Sequence, residues 1–279
     1  MKIACLTFIL FIGLISLQAN AASTIYCSHA ELCKMVSEIS RLETETLVNI
    51  SGDPHEFEPS SSEIKNLIKA PVLLTGPYEL NPWIKKIIFQ RSKTPGLVTI
   101  SLLLAPKDLN SYPNASAEAL SHFWLYPRIY CSLKSGLEAE LKKSGYSVAT
   151  NKACDSETVE KTLQSSLTKV SIPIILTHDA ILPLLLSLAK GHTAPIAAIK
   201  GSGHHEEVSP AAVKKMYDAL GFPRTIWVLE SGINIPTNIL NKIRPSDKII
   251  RLNTASTKTG NPFSVLSELS EKLNQTVEN

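Results

Sequence analysis

The fold is decided by residues 172–199, IPIILTHDAILPLLLSLAKGHTAPIAAI. Ile172–Thr177 is an apolar run of strand length, Ala180–Lys190 a helical stretch, and Pro195–Ile199 a second short apolar run. Apolar runs without polar alternation belong to strands covered on both faces. Outward toward the C-terminus the unit repeats. A helix opens with Ser209 as cap and Pro210 in its first position, and Gly221 stands just past its end. Strands over Thr225–Glu230 and Lys248–Leu252 then alternate with helices over Thr237–Ile243 and Pro262–Thr276. Strands separated by helical stretches of this length imply βαβ units and a parallel sheet.

Outward toward the N-terminus the alternation is looser but of the same kind. Asp155 can cap a helix whose Val159, Leu163, Leu167 and Val170 make one stripe. A helix over Pro127–Lys143 carries Ile129, Leu133, Leu137 and Leu141 on its buried side. Val72–Thr75 and Leu97–Leu104 are bounded by Pro and Gly and predict buried strands. TLVNI at 46–50 predicts a short strand, and Ser60-Ser61-Ser62-Glu63 has capping-box form before Ile64, Leu67 and Ile68. The expected fold is α/β with two lobes, each a mostly parallel sheet covered by helices. Its expected parts are a leader at 1–21, a first lobe at 22–155, a linking helix at 156–169 and a second lobe at 170–279.

The leader follows from Lys2, the uncharged apolar run Ala4–Leu17, and Ala19-Asn20-Ala21, which has the form of a signal-peptidase site. A run of 14 residues is too short for the roughly 20 that cross a bilayer. Secretion with cleavage after Ala21 is therefore expected, and no later stretch is long enough to span a membrane. With 28 Lys+Arg against 25 Asp+Glu, the net charge of +3 carries no nucleic-acid footprint. Apolar residues at 44% and charged residues at 19% exclude a disordered or coiled-coil chain. Cys5 goes with the leader. Cys27, Cys33, Cys131 and Cys154 allow three pairings in an oxidising compartment. Cys131 and Cys154 bracket one helix and its loop, which makes them the favoured bridge, with buried free thiols as the alternative.

Ligands of open α/β sheets bind beyond the carboxyl ends of strands. His178 follows a predicted strand, His55 lies in the loop after another, and Asn253 follows a third; His122 ends the connection from strand 97–104. Histidine is the commonest metal ligand, and a cluster of three suits tetrahedral zinc. Each has a plainer reading as a surface or helix-capping residue. His204 and His205 lie in a Gly-Ser-Gly-His-His-Glu-Glu loop that can bind metal loosely, and His29 and His192 are assigned no role.

The words around these histidines carry a resemblance. Gly52-Asp53-Pro54-His55-Glu56-Phe57-Glu58-Pro59 resembles the DPHxYEPTPSD segment of the extracytoplasmic metal-binding receptors of ABC transporters. His122-Phe123-Trp124-Leu125-Tyr126-Pro127 resembles their HxWLDP segment, and Thr177-His178-Asp179-Ala180 their SHDA segment. Val228-Leu229-Glu230, Glu206–Pro210 and Tyr78–Trp83 also fit in order. The resemblance implies a periplasmic, monomeric, non-enzymatic protein that captures a metal ion between its lobes and delivers it to an ABC permease. It carries over His55, His122 and His178 as ligands. A nitrogen-rich set favours Zn²⁺ over Mn²⁺.

The sequence departs from the pattern in four ways, two of which are the absence of the His/Asp-rich loop that many zinc receptors carry before the second histidine and a short linking helix. Asn253 stands where the family usually has Asp, so water or chloride is expected at the fourth position, with Asp179, Glu56 or Glu230 as the nearby carboxylate. Tyr126 also replaces an Asp. Alternatives are a degenerate paralogue acting as an adhesin or interaction module, and a secreted zinc hydrolase with an open coordination position. Against the hydrolase, the chain has neither HExxH nor G-x-S-x-G.

Overall fold

The computed structural model describes residues 24–48, 57–113, 115–149, 153–201, 210–233, 235–254, 257 and 261–278. The expected leader at 1–21 lies outside them. The first half builds β1 (Ile25–Cys27), α1 (Ala30–Ile39), β2 (Thr44–Thr46), α2 (Ser61–Lys69), β3 (Val72–Thr75), α3 (Ile84–Arg91) and β4 (Val98–Ser101). Two single-turn helices, α4 (Pro106–Leu109) and α5 (Ala117–Leu120), lead to α6 (Pro127–Lys143) and α7 (Ser156–Lys169). The second half builds β5 (Ile174–His178), α8 (Leu182–Leu188), β6 (Ile196–Lys200), α9 (Pro210–Leu220), β7 (Ile226–Glu230), α10 (Thr237–Leu240), β8 (Lys248–Leu252) and α11 (Ser264–Glu278).

Both sheets are four-stranded and parallel throughout, ordered β2-β1-β3-β4 and β6-β5-β7-β8. The two orders are the same winding used twice. In each, the chain steps one way from its first strand and then the other, so the order reverses between β1 and β3 and between β5 and β7. Such a reversal opens a crevice at the carboxyl ends of the two strands.

Strand parity decides what enters that crevice. Ile174 and Leu176 of β5 join the large central core, whereas Ile175 packs into a separate outer cluster. Ile226 and Val228 of β7 face the centre in the same way, with Trp227 and Leu229 outside. The central core also takes Ile25, Val72, Leu74 and Ile100 from the first sheet, so the two lobes share it. Period-two alternation then aims the next residues, His178 and Glu230, at the other lobe. Leu176 pairs with Val228, and extending that register by two residues sets His178 opposite Glu230.

The helices form for the reasons their sequences give. Ser60 and Glu63 make a reciprocal capping box at α2, and Asp155 accepts from Thr158 N at α7. Ile129, Leu133, Leu137 and Leu141 are all buried along α6. Boundaries shift by a few residues elsewhere. The strand expected at 46–50 is observed as β2 over Thr44–Thr46, with 49–50 outside the described residues. The helix expected over Ala180–Lys190 starts instead as a 3-10 turn, Asp179–Ile181, and ends at Leu188. Among the described residues two disulfides form: the favoured Cys131–Cys154, and Cys27–Cys33 between β1 and α1.

Candidate metal centre

Two of the three expected ligands come together where the lobes meet. The rings of His122 and His178 lie 5.6 Å apart between centroids, inclined at 73°. Both are buried, at 3% and 2% exposure. His178 ends β5, while His122 caps the 3-10 turn Phe123–Leu125 that runs into α6. His55, the third expected ligand, and Glu56 lie outside the described residues, as do His204 and His205. Among the described residues no group of three or more His, Cys, Asp or Glu side chains is placed to hold a metal ion.

His122 Nδ1 lies 3.3 Å from Ala119 O. A carbonyl can only accept, so in the tautomer that makes this bond the proton is on Nδ1 and the ring's lone pair on Nε2. Hydrogen bonding at one ring nitrogen is how a metal-binding imidazole is oriented for coordination through the other.

The carboxylate expected nearby is Glu230, the last residue of β7. Its side chain is fully buried, and Oε2 lies 3.8 Å from His178 Nδ1. Thr254 Oγ1 donates to Oε2 at 2.7 Å, and Glu230 N donates to Thr177 Oγ1 at 3.0 Å. Oε1 is buried and accepts no hydrogen bond among the described residues. A buried acceptor left so costs about 1–3 kcal/mol, and more when charged. A cation in the crevice would offset that cost, so the electrostatics suit a dication beside the two imidazoles. Asp179, the other described candidate, is only half-buried.

Asn253 is exposed, while its neighbour Thr254 is buried against Glu230. The segment after β8 thus contributes a hydroxyl that fixes the carboxylate.

His29, assigned no role from sequence, belongs to the surroundings of the site. It follows β1 at the first sheet's reversal, and its ring stacks on Trp124 at 4.8 Å. Trp124 meets His122 edge-on at 5.5 Å. His29 Nδ1 accepts from Glu31 N at 3.2 Å and so caps α1. Burial pushes the His29 pKa down from 6.5 to about 4, against an upward pull from Glu31 and with a smaller downward push from Lys34. Nothing in its local sequence marks this; only the stacking partner far along the chain does.

Several hydrogen bonds cross between the lobes here. Trp124 Nε1 donates to Thr254 O at 2.7 Å and Tyr126 Oη to Ala180 O at 2.6 Å. Glu31 accepts from Thr257 N at 3.0 Å and from Thr257 Oγ1, and Lys34 Nζ donates to Thr257 O.

Comparison with known proteins gives one family. The family model for the periplasmic zinc-uptake complex component A, ZnuA, matches residues 25–221, more than half of the chain. No curated protein matches in sequence. Among solved structures, the periplasmic zinc binding protein TroA from Treponema pallidum is similar at a TM-score of 0.65 and 12% identity, covering 91% of this chain and 99% of that one. The solute-binding protein FpvC from Pseudomonas aeruginosa, in complex with Mn²⁺, gives 0.59 and 18%, covering 92% and 97%. The laminin-binding protein Lmb of Streptococcus agalactiae, described as bifunctional with adhesin and metal transporting activity, gives 0.63 and 18%, covering 90% and 98%. At these identities the likeness is one of fold.

Proposed function

The chain belongs to the family of periplasmic A components of zinc-uptake complexes, metal-binding solute-binding proteins of ABC importers, and from that premise we propose that it captures Zn²⁺ and hands it to a permease. His122 and His178 are the described ligands in this reading, and His55 supplies the third imidazole. Leader cleavage after Ala21 delivers the chain to the periplasm. Among the described residues no helix is long and apolar enough to cross a membrane.

The observation that carries the proposal is the pair of buried imidazoles at 5.6 Å beside the buried Glu230 carboxylate, whose Oε1 accepts no hydrogen bond among the described residues. Imidazole donors favour zinc, whereas manganese prefers oxygen. The Pseudomonas relative binds Mn²⁺, so the choice of ion is the point to test. With Glu230 near but not replacing the imidazoles, the donor set stays nitrogen-rich. The reading assigns transport and no catalytic step.

Thermal melting of metal-free protein against graded Zn²⁺ and Mn²⁺ tests this. An ion that binds only the folded state stabilises it by about 2.7 kcal/mol at a hundredfold excess over its Kd. Zinc is expected to raise the melting temperature at lower concentration than manganese. Equal response to both ions, or a response to manganese alone, overturns the assignment of zinc.

A further inference from the structure

His122 and His178 belong to different lobes, so their separation depends on whatever holds two short turns together. His122 opens the 3-10 turn Phe123–Leu125, which Tyr126 closes. His178 opens the 3-10 turn Asp179–Ile181, whose middle residue is Ala180. The hydroxyl of Tyr126 donates to the carbonyl of Ala180 at 2.6 Å, joining one turn to the other.

We propose that Tyr126 is a positioning residue of the metal centre, its hydroxyl acting as a strut that sets the spacing of His122 and His178, with Trp124 as a companion strut. The inference rests on the metal-receptor reading and goes beyond it by assigning how the two halves of the site are held in register.

The strut is anchored at both ends. Tyr126 is fully buried, and its backbone turns directly into α6, where its carbonyl accepts from Tyr130 N at 2.9 Å. Its ring meets Tyr112 edge-on at 4.9 Å. Tyr112 in turn donates to Glu160 of α7 at 2.5 Å, and Arg128 holds the same carboxylate at 3.0 and 2.5 Å. On the other side Ala180 is buried immediately after His178 and Asp179. Burial, with the charges of Asp179 and Glu230 nearby, holds the phenol well above its usual range, so the donor keeps its proton. The Asp of the family segment that Tyr126 replaces could not donate to a carbonyl when ionised. Trp124, two residues from His122, donates to Thr254 O, and the Thr254 hydroxyl holds the Glu230 carboxylate beside His178. Both routes run from the His122 turn to the His178 side.

Tyr126→Phe keeps the ring and removes the strut. The control is Tyr130→Phe, which removes an equally buried phenol that bonds Glu38 within the first lobe. Full-chain proteins are loaded with Zn²⁺ in competition with a chelator, and with Co²⁺ to read the d–d bands, which report ligand geometry. Tyr126→Phe is expected to weaken Zn²⁺ binding about fivefold to tenfold, the scale of one neutral hydrogen bond, and to alter the Co²⁺ bands; Tyr130→Phe changes neither. Wild-type affinity and an unaltered Co²⁺ spectrum in Tyr126→Phe overturn the proposal. Equal effects in both variants also overturn it, since loss of a buried hydroxyl alone would then suffice. Should Tyr126→Phe not fold, Trp124→Phe removes the companion strut and is judged by the same two readouts. A wild-type chain that takes up neither ion defeats the receptor reading itself, a result distinct from the others.

Discussion

His29 makes the stability of the metal-free protein depend on pH in a calculable way. The folded state holds its pKa at about 4, while an unfolded histidine titrates at 6.5. Below pH 6.5 the unfolded chain takes up a proton that the folded chain refuses, so stability is fully present above 6.5 and falls as pH drops toward 4. The 2.5-unit gap corresponds to about 2 kcal/mol by pH 5 and about 3 kcal/mol by pH 4. Against a typical total of about 5–15 kcal/mol this is a large fraction. The cause is local. Nδ1 must stay unprotonated to accept from Glu31 N, and the ring is stacked on Trp124 away from water. His29→Asn keeps an acceptor at the capping position and removes the titration. Urea unfolding of both proteins in chelator, at pH 7.5, 6 and 5, reads the effect as a difference. The variant loses the stacking at every pH, so its deficit is largest at pH 7.5. That deficit is expected to shrink by about 2 kcal/mol at pH 5, because only the wild type carries the His29 penalty. A deficit that stays constant across this range refutes the reasoning.

Other expectations follow from the site and its scaffold. Glu230→Gln removes the buried charge beside His178 and should weaken Zn²⁺ binding about tenfold or more in a chelator competition, the usual size for partners of metal-binding imidazoles; unaltered affinity would show that the carboxylate does not serve the site. Asn253→Asp is expected to leave affinity near the wild-type value, because position 253 is exposed and Thr254 is the residue that reaches Glu230; a strong gain by calorimetry would place residue 253 at the ion after all. The Cys131–Cys154 bridge closes a 23-residue separation, so the double Ser variant should lose about 3 kcal/mol of unfolding free energy, and an unchanged urea midpoint would contradict this.

Much of the second lobe was legible because its central strands are buried on both faces. Ile174–Leu176 and Ile226–Leu229 are uninterrupted apolar runs, and only covered parallel strands need them. The first lobe was harder to read. Three residues of β1 hold no period, α1 is capped by a histidine rather than Ser, Thr, Asp or Asn, and α3 has Trp83 at its N-cap position with no side-chain cap. The places of His178 and His122 at the lobe junction were legible, the first because a strand end is a position that sequence defines and the second from the motif around it. Glu230 entered as one carboxylate of three, and its register opposite His178 singled it out. The bonds that organise the site left no trace in the sequence, since they join residues 24, 54 and 130 positions apart. Tyr126 looked like a lost charge. In the fold it is a gained donor.

Zinc K-edge absorption on the zinc-loaded chain tests the receptor reading most directly. A single zinc with a nitrogen and oxygen shell at about 2.0–2.1 Å and multiple scattering from at least two imidazoles is expected, the imidazole signal falling in His122→Ala and His178→Ala. A shell of oxygen alone, or a spectrum that both substitutions leave untouched, would place the ion elsewhere and contradict the account.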